Sequence, residues 1–179
     1  MVTAPRDSQA ISQATTAQVW DWLQQVPDPE VPVLSVVDLG IVRAVGLEQG
    51  EGATECVVTI TPTYSGCPAM GVIADEIGRV LRGQGLERVR VETRLSPAWT
   101  TDWMSEAGRK KLKGYGIAPP AQQAIDISGI SRRNRAAPVA CPHCGSANTV
   151  CLSAFGSTAC KALYRCNACL EPFDYFKPH

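Results

Sequence analysis

The chemistry in this sequence is concentrated in its cysteines, of which there are eight. Four stand in two pairs, Cys141-Pro-His-Cys144 and Cys166-Asn-Ala-Cys169, with 21 residues between the pairs. Two such knuckles can close four thiolates around one tetrahedral Zn²⁺. The gap lies just beyond the usual range, and a tetrathiolate iron site uses the same ligands. A fifth, Cys67, sits in Thr61-Pro-Thr-Tyr-Ser-Gly-Cys67-Pro68, between a predicted strand and a predicted helix. Pro68 suits the first helical position, where its fixed φ fits and its missing N–H is no loss. That places Cys67 at the N-cap, against free N–H groups and the positive end of the helix dipole. A thiol there ionises more readily, and the thiolate attacks electrophiles or binds metal. The plain alternative is a buried, inert thiol.

Three cysteines remain. Cys160, in Phe155-Gly-Ser-Thr-Ala-Cys160-Lys161, falls on a predicted bend, where a lysine neighbour could make it an exposed second reactive thiol. Packing is the preferred reading for it and for Cys151. Cys56 alternates with Val58 and Ile60 on the apolar face of a strand and is read as core. His143, between two ligands, points outward, and His179 is terminal.

The elements that must position these groups follow from periodicity. Thr15 or Thr16 caps a helix with apolar positions Val19, Trp20, Leu23 and Val26, which Pro27 stops. Asp28-Pro-Glu-Val-Pro32 is extended or turned, because residues before proline avoid the helical region. A β-branched stretch from Val36 to Leu47 and an alternating one from Thr54 to Thr61 make a hairpin. Met70, Ile73, Ile77, Val80 and Leu81 form a helical stripe ended by Gly83 and Gly85. Val89, Val91 and Leu95 alternate with charged residues as a half-buried strand. A last helix runs from Thr101 to Lys113, with Trp99 and Trp103 on one face as core.

The predicted fold is α+β or α/β: a small mixed-sheet domain in the order α-β-β-α-β-α, followed by a small zinc-ribbon domain. Residues 1–14 are expected to be disordered, 15–117 to form the first domain, 118–139 a linker and 140–179 the ribbon. Strands at Thr149–Phe155, Ala162–Arg165 and Phe173–Phe176 complete the ribbon. A module of about 40 residues is too small to hold together on its core alone, so it needs its metal.

Acidic and basic residues balance at 17 each, which leaves no field to draw in nucleic acid or an anionic membrane. The polar stretch Met1–Gln18 is no secretory signal, and no apolar run is long enough to span a bilayer. The expected location is the cytoplasm, where cysteines serve metals or redox chemistry rather than disulfides. There is no Ser/His/Asp set, phosphate loop or dinucleotide fingerprint, so the chain is not expected to be an enzyme. Thiol exchange at Cys67 lacks a resolving thiol nearby in sequence.

Asp28-Pro-Glu-Val-Pro32, Val37-Asp-Leu-Gly40 and Thr63-Tyr-Ser-Gly-Cys-Pro68, in that order and spacing, resemble the metal–sulfur cluster assembly factor family over roughly residues 17–117. Ser65 stands where the family more commonly has proline. Trp99-Thr-Thr-Asp-Trp103, Gly114-Tyr-Gly-Ile-Ala-Pro-Pro120, the Cys-Pro-His-Cys knuckle and Phe155–Lys161 extend the resemblance to a subgroup encoded with a phenylacetyl-CoA epoxidase of phenylacetate catabolism.

The resemblance implies an accessory maturation factor that delivers a transient iron–sulfur cluster or iron to the epoxidase. Its partners would be the oxygenase or the iron–sulfur reductase component. Cys67 would be the cargo thiolate, with Asp28, Glu30, Asp38 and Thr63 around it. Hard carboxylates beside one soft thiolate would hold iron loosely, as a carrier requires. Asp28 capping a turn and Asp38 bonding backbone N–H groups are the structural alternatives. A homodimer sharing a cluster between two copies of Cys67 is chemically reasonable, since one thiolate is a poor cluster site. The competing function is a non-catalytic structural or regulatory subunit of the oxygenase, docked through its ribbon.

Overall fold

The computed structural model describes residues 14–49, 54–120 and 138–178. The disorder expected for 1–14 therefore falls, apart from Ala14, outside the described residues, as does the linker between Pro120 and Pro138, and His179. α1 (Thr16–Leu23) begins at Thr15. The Thr15 side chain accepts from the Gln18 N–H, and the Gln18 side chain accepts from the Thr15 N–H. This reciprocal box satisfies donors that a helix start leaves free. β1 (Val42–Gln49), β2 (Thr54–Ile60), α2 (Met70–Gly83), β3 (Arg88–Thr93) and α3 (Glu106–Gly114) follow, in the expected order.

β1 runs antiparallel to β2, with Leu47 opposite Cys56, and β3 runs parallel to β2, with Val91 beside Val58. A parallel pair needs a crossover, and α2 supplies it. Cys56, Val58 and Ile60 on β2 are fully buried against Ile73, Ile77 and Leu81 of α2 and against Val19 and Leu23 of α1. Each such side chain contributes about 1.5–3 kcal/mol relative to exposure.

The strand expected from Val36 begins only at Val42, because residues 36–40 are turns. Ser35 and Asp38 hold that turn. The Ser35 N–H donates to Asp38 Oδ2 at 3.1 Å, and the Asp38 N–H to Ser35 Oγ at 2.9 Å. Gly40 then takes φ +68°, with the Trp103 carbonyl so close that a Cβ would lie 2.3 Å from its oxygen.

The helix expected from Thr101 is also divided. Thr101–Trp103 is a single 3-10 turn, Met104 and Ser105 are extended, and α3 starts afresh with Ser105 Oγ accepting the Gly108 N–H at 2.9 Å. Trp99 and Trp103 accordingly do not share one helix. Trp99 is buried, with its indole N–H donating to the Leu39 carbonyl at 2.9 Å, and Trp103 lies half-exposed under the Arg43 guanidinium. Leu95, expected on the buried face of β3, is exposed because the strand ends at Thr93.

The second sheet contains β4 (Ile117–Ala118), β5 (Thr149–Ser153), β6 (Lys161–Cys166) and β7 (Pro172–Phe176), in the order β4-β7-β6-β5. Its short edge strand comes from the end of the first domain, with Ile117 beside Asp174 and Ala118 beside Tyr175. The ribbon's own core is small: Ala118, Cys141, Ala162, Cys166, Phe173 and Tyr175. Cys160 and Phe176 instead pack into the core of the first domain, with the Phe176 ring 6.3 Å from that of Trp99. The two domains are therefore joined by a shared sheet edge and by ribbon side chains inserted across the seam.

Candidate functional site

The two knuckles bring Cys141, Cys144, Cys166 and Cys169 together, with all four sulfurs within 4.8 Å of one another. Cys141 Sγ is 3.7 Å from Cys169 Sγ, and Cys144 Sγ is 3.6 Å from Cys166 Sγ. A tetrahedral zinc with Zn–S bonds of about 2.3 Å sets its sulfurs about 3.8 Å apart. Donor type, number and spacing thus fit Zn²⁺, which would tie the first knuckle to the β6–β7 turn. The N–H groups of Cys169 and Ala168 draw the Cys166 thiol down, while burial and the neighbouring Cys166, Cys144 and Cys141 thiols push Cys169 up. His143 stays exposed outside this set.

Cys67 lies on the turn between β2 and α2, where its N–H donates to the Tyr64 carbonyl at 3.2 Å. The helix begins later than Pro68 suggests. Ala69 is the N-cap and Met70 the first helical residue, so Cys67 stands ahead of the helix rather than on its cap. The expectation of easy ionisation is corrected with it. Burial pushes the Cys67 thiol up, and the Glu30 and Asp28 carboxylates add to this. The Ala69 N–H and the Tyr64 side chain, both hydrogen-bonded to it, pull the other way without prevailing. A thiol facing two carboxylates keeps its proton until a cation arrives to balance them.

Those carboxylates come from the proline-rich segment. Asp28 is buried, and its Oδ1 accepts the N–H groups of Glu30 at 2.9 Å and Val31 at 2.7 Å. Its own N–H donates to the Leu34 carbonyl at 2.8 Å, so the segment is held at both ends. Burial raises the Asp28 pKa. Glu30 is half-buried, and its Oε2 accepts from the Cys160 thiol at 3.5 Å. Cys160 also lies 3.0 Å from Thr158 Oγ1, and burial pushes it up to about 11. Cys160 is buried, not an exposed bend thiol. The packing reading fails for Cys151, which is exposed on the edge strand β5.

Cys160 thus touches Glu30, and Cys67 lies within electrostatic reach of Asp28 and Glu30. Tyr64 joins them: it is hydrogen-bonded to Cys67 and lies within electrostatic reach of Glu30 and Cys160. In the sequence Tyr64 is one residue of the motif, with no property of its own that assigns it a role. Only the place of that motif between strand and helix could have marked it. Thr63 is half-buried on the same loop, lining a cleft of about 370 Å³ with Tyr64, Leu95 and Trp99.

Asp38 stands apart. Its Oδ1 accepts from Ser105 Oγ at 3.1 Å. Its Oδ2 accepts from the Ser35 N–H and pairs with Lys111 Nζ at 2.6 Å. Both oxygens fasten the loop to α3. No helix among the described residues is long and apolar enough to cross a membrane.

Comparison with known proteins matches two stretches of the chain. A family described as iron-sulfur cluster assembly protein matches residues 16–93, which include Cys67. The PaaD zinc beta ribbon domain matches residues 127–177, which include all four knuckle cysteines. An Escherichia coli K12 protein named as a component of 1,2-phenylacetyl-CoA epoxidase is 50% identical over 161 residues, covering 89% of this chain and 91% of that one. The Fe-S protein maturation auxiliary factor YitW of Bacillus subtilis 168 is 33% identical over 103 residues, covering 57% of this chain and 97% of that one. SufT of Staphylococcus aureus USA300, also an Fe-S protein maturation auxiliary factor, is 37% identical over 88 residues, covering 49% and 96%. These are names of an epoxidase component and of maturation factors, in keeping with the expected non-catalytic role. The chain belongs to the same family as that epoxidase component, and its two parts match the iron-sulfur cluster assembly protein family and the PaaD zinc beta ribbon domain.

Proposed function

We propose that this protein is an accessory maturation factor for a phenylacetyl-CoA epoxidase, that it carries iron or an iron–sulfur cluster to that complex, and that Cys67 is the thiolate that holds the cargo. The observation that carries this reading is the setting of Cys67. It is a half-buried thiol on an irregular turn, facing the Asp28 and Glu30 carboxylates, within the stretch matched by the iron–sulfur assembly family. A soft thiolate beside hard oxygens gives incomplete ligation, from which cargo can leave. Residues 15–117 act as the cargo domain and 140–179 as a zinc-stabilised ribbon, the stretch between joining them. The clients are the oxygenase or the iron–sulfur reductase component in the cytoplasm.

The test is to co-produce the epoxidase components with wild-type protein or with Cys67→Ala, and to measure iron and acid-labile sulfide in the purified client. The variant is expected to stay folded with one zinc per chain while the client loses metal. Normal client cofactor content with Cys67→Ala overturns the proposal. A structural or regulatory subunit is the second reading, favoured by Val150, Leu152 and Phe155, which stand exposed along and just beyond the edge strand β5. It requires a stable complex whose activity tolerates Cys67→Ala.

A further inference from the structure

Cys160 belongs to the ribbon, yet the ribbon's metal set is complete without it. It is buried among the core residues of the first domain rather than those of its own, and its carbonyl accepts the Lys177 N–H at 2.9 Å, which fixes the bend on β7. From there its thiol meets Glu30 Oε2 at 3.5 Å. Cys67 packs against the same core cluster in which Cys160 is buried, and Tyr64, hydrogen-bonded to Cys67, lies within electrostatic reach of Glu30 and Cys160. Lys161, next in sequence, is buried, and its charge reaches Asp28 while its Nζ lies 3.6 Å from Asp174 Oδ2. The seam between the domains therefore gathers two thiols, two carboxylates and a phenol, with one buried ammonium beside them. Soft sulfur and hard oxygen donors so arranged are a ligand set for a thiophilic cation.

We propose that Cys160 is the second thiolate of the cargo site, so that the metal is held across the domain seam by Cys67, Cys160 and the Glu30 carboxylate. This rests on the reading of Cys67 as the cargo thiol. Binding a divalent ion displaces the two thiol protons to solvent. Among the described residues only the ribbon quartet is drawn tight enough to hold a metal as it stands. An ion at the seam therefore pulls the Cys67 turn inward, and Ser65 and Gly66 on that turn are exposed. Three donors leave a coordination position open for a client ligand, and lifting the ribbon removes one donor outright.

The probe is cobalt(II), added anaerobically to full-length protein whose ribbon is already loaded with zinc; zinc is assayed on the same samples. The near-ultraviolet thiolate-to-cobalt band counts thiolates per bound ion. Wild type is expected to bind one cobalt beyond its zinc. Cys160→Ser and Cys67→Ser should each lose half the band per ion and bind at least roughly tenfold more weakly. Glu30→Gln should weaken binding with the band per ion unchanged, which keeps the test open should Cys160→Ser fail to fold. A wild-type band and affinity in Cys160→Ser overturns the second thiolate while leaving Cys67 as the cargo thiol. A wild-type response in Cys67→Ser, or no cobalt bound by wild type, overturns both.

Discussion

Phe176→Ala tests whether the ribbon is a separable unit held against the first domain. Phe176 ends β7, but its ring is 1% exposed and lies in the first domain's core beside Trp99. Truncating a buried phenylalanine costs about 3–5 kcal/mol, of which the tilted ring pair accounts for roughly 0.5–1.5 kcal/mol. Little of that loss falls on the ribbon itself, whose core residues and four cysteines are elsewhere. It falls on docking, and a loss of about 4 kcal/mol raises the undocked population roughly 10³-fold. Hydrogen exchange on zinc-loaded protein reads this directly. The β4 segment Ile117–Ala118 and the Trp99 indole N–H should exchange faster by about that factor, while β2 and α2 keep their protection and zinc stays at one per chain. Protection lost together in β2, α2 and β4 refutes the reasoning, because the ribbon would then be part of one cooperative core.

Two further outcomes test the loop that leads into β1. Burial alone would raise the Asp38 carboxyl, but the Lys111 ammonium and the hydrogen bonds from Ser35 and Ser105 outweigh it and hold the group below its ordinary value. A depressed folded pKa contributes stability above the unfolded carboxylate value of about 3.9, and that contribution is lost as pH falls through the folded value. Lys111 is half-exposed, so Asp38→Asn should cost about 1–2 kcal/mol at pH 7 by urea unfolding, and less once the pH falls below the unfolded carboxylate value. An equal cost above and below that value contradicts the assignment. Gly40→Ala adds about 1–2 kcal/mol of left-handed strain and about 1–3 kcal/mol of overpacking against the Trp103 carbonyl. The melting temperature should therefore fall by about 4–20 °C, and an unchanged melting temperature removes that account.

What could be read in the sequence is what local pattern determines. The α2 stripe, the alternation of Cys56, Val58 and Ile60, and the zinc quartet depend on spacing within one element or one small module, and each stands where spacing puts it. What could not be read depends on partners far along the chain. The turn at residues 36–40 has the β-branched composition of a strand, but Ser35, Asp38 and the distant Trp103 backbone decide its shape. Proline at 68 is permitted at a helix start, yet the Tyr64–Cys67 turn postpones the helix to Met70. The contact between Cys160 and Glu30 spans 130 residues and two domains, so no local signal encodes it.

The ribbon quartet and the proposed seam site differ in what they ask of the fold. The ribbon quartet draws all its ligands from one small module, so its ion is bound as firmly as the module is folded, and release means unfolding. A site that takes Cys67 and Glu30 from one domain and Cys160 from the other couples cargo affinity to docking. By linkage, the factor by which an ion strengthens docking equals the factor by which docking strengthens ion binding. A client surface that competes for the ribbon would then lower cargo affinity without touching the metal. Phe176→Ala, once most molecules are undocked, would weaken cobalt binding in proportion to the docked fraction that remains. With the proposed seam site, the protein would hold an ion while closed and release it when a recipient opened it, and the seam beside Trp99 and Phe176 is where that opening would occur.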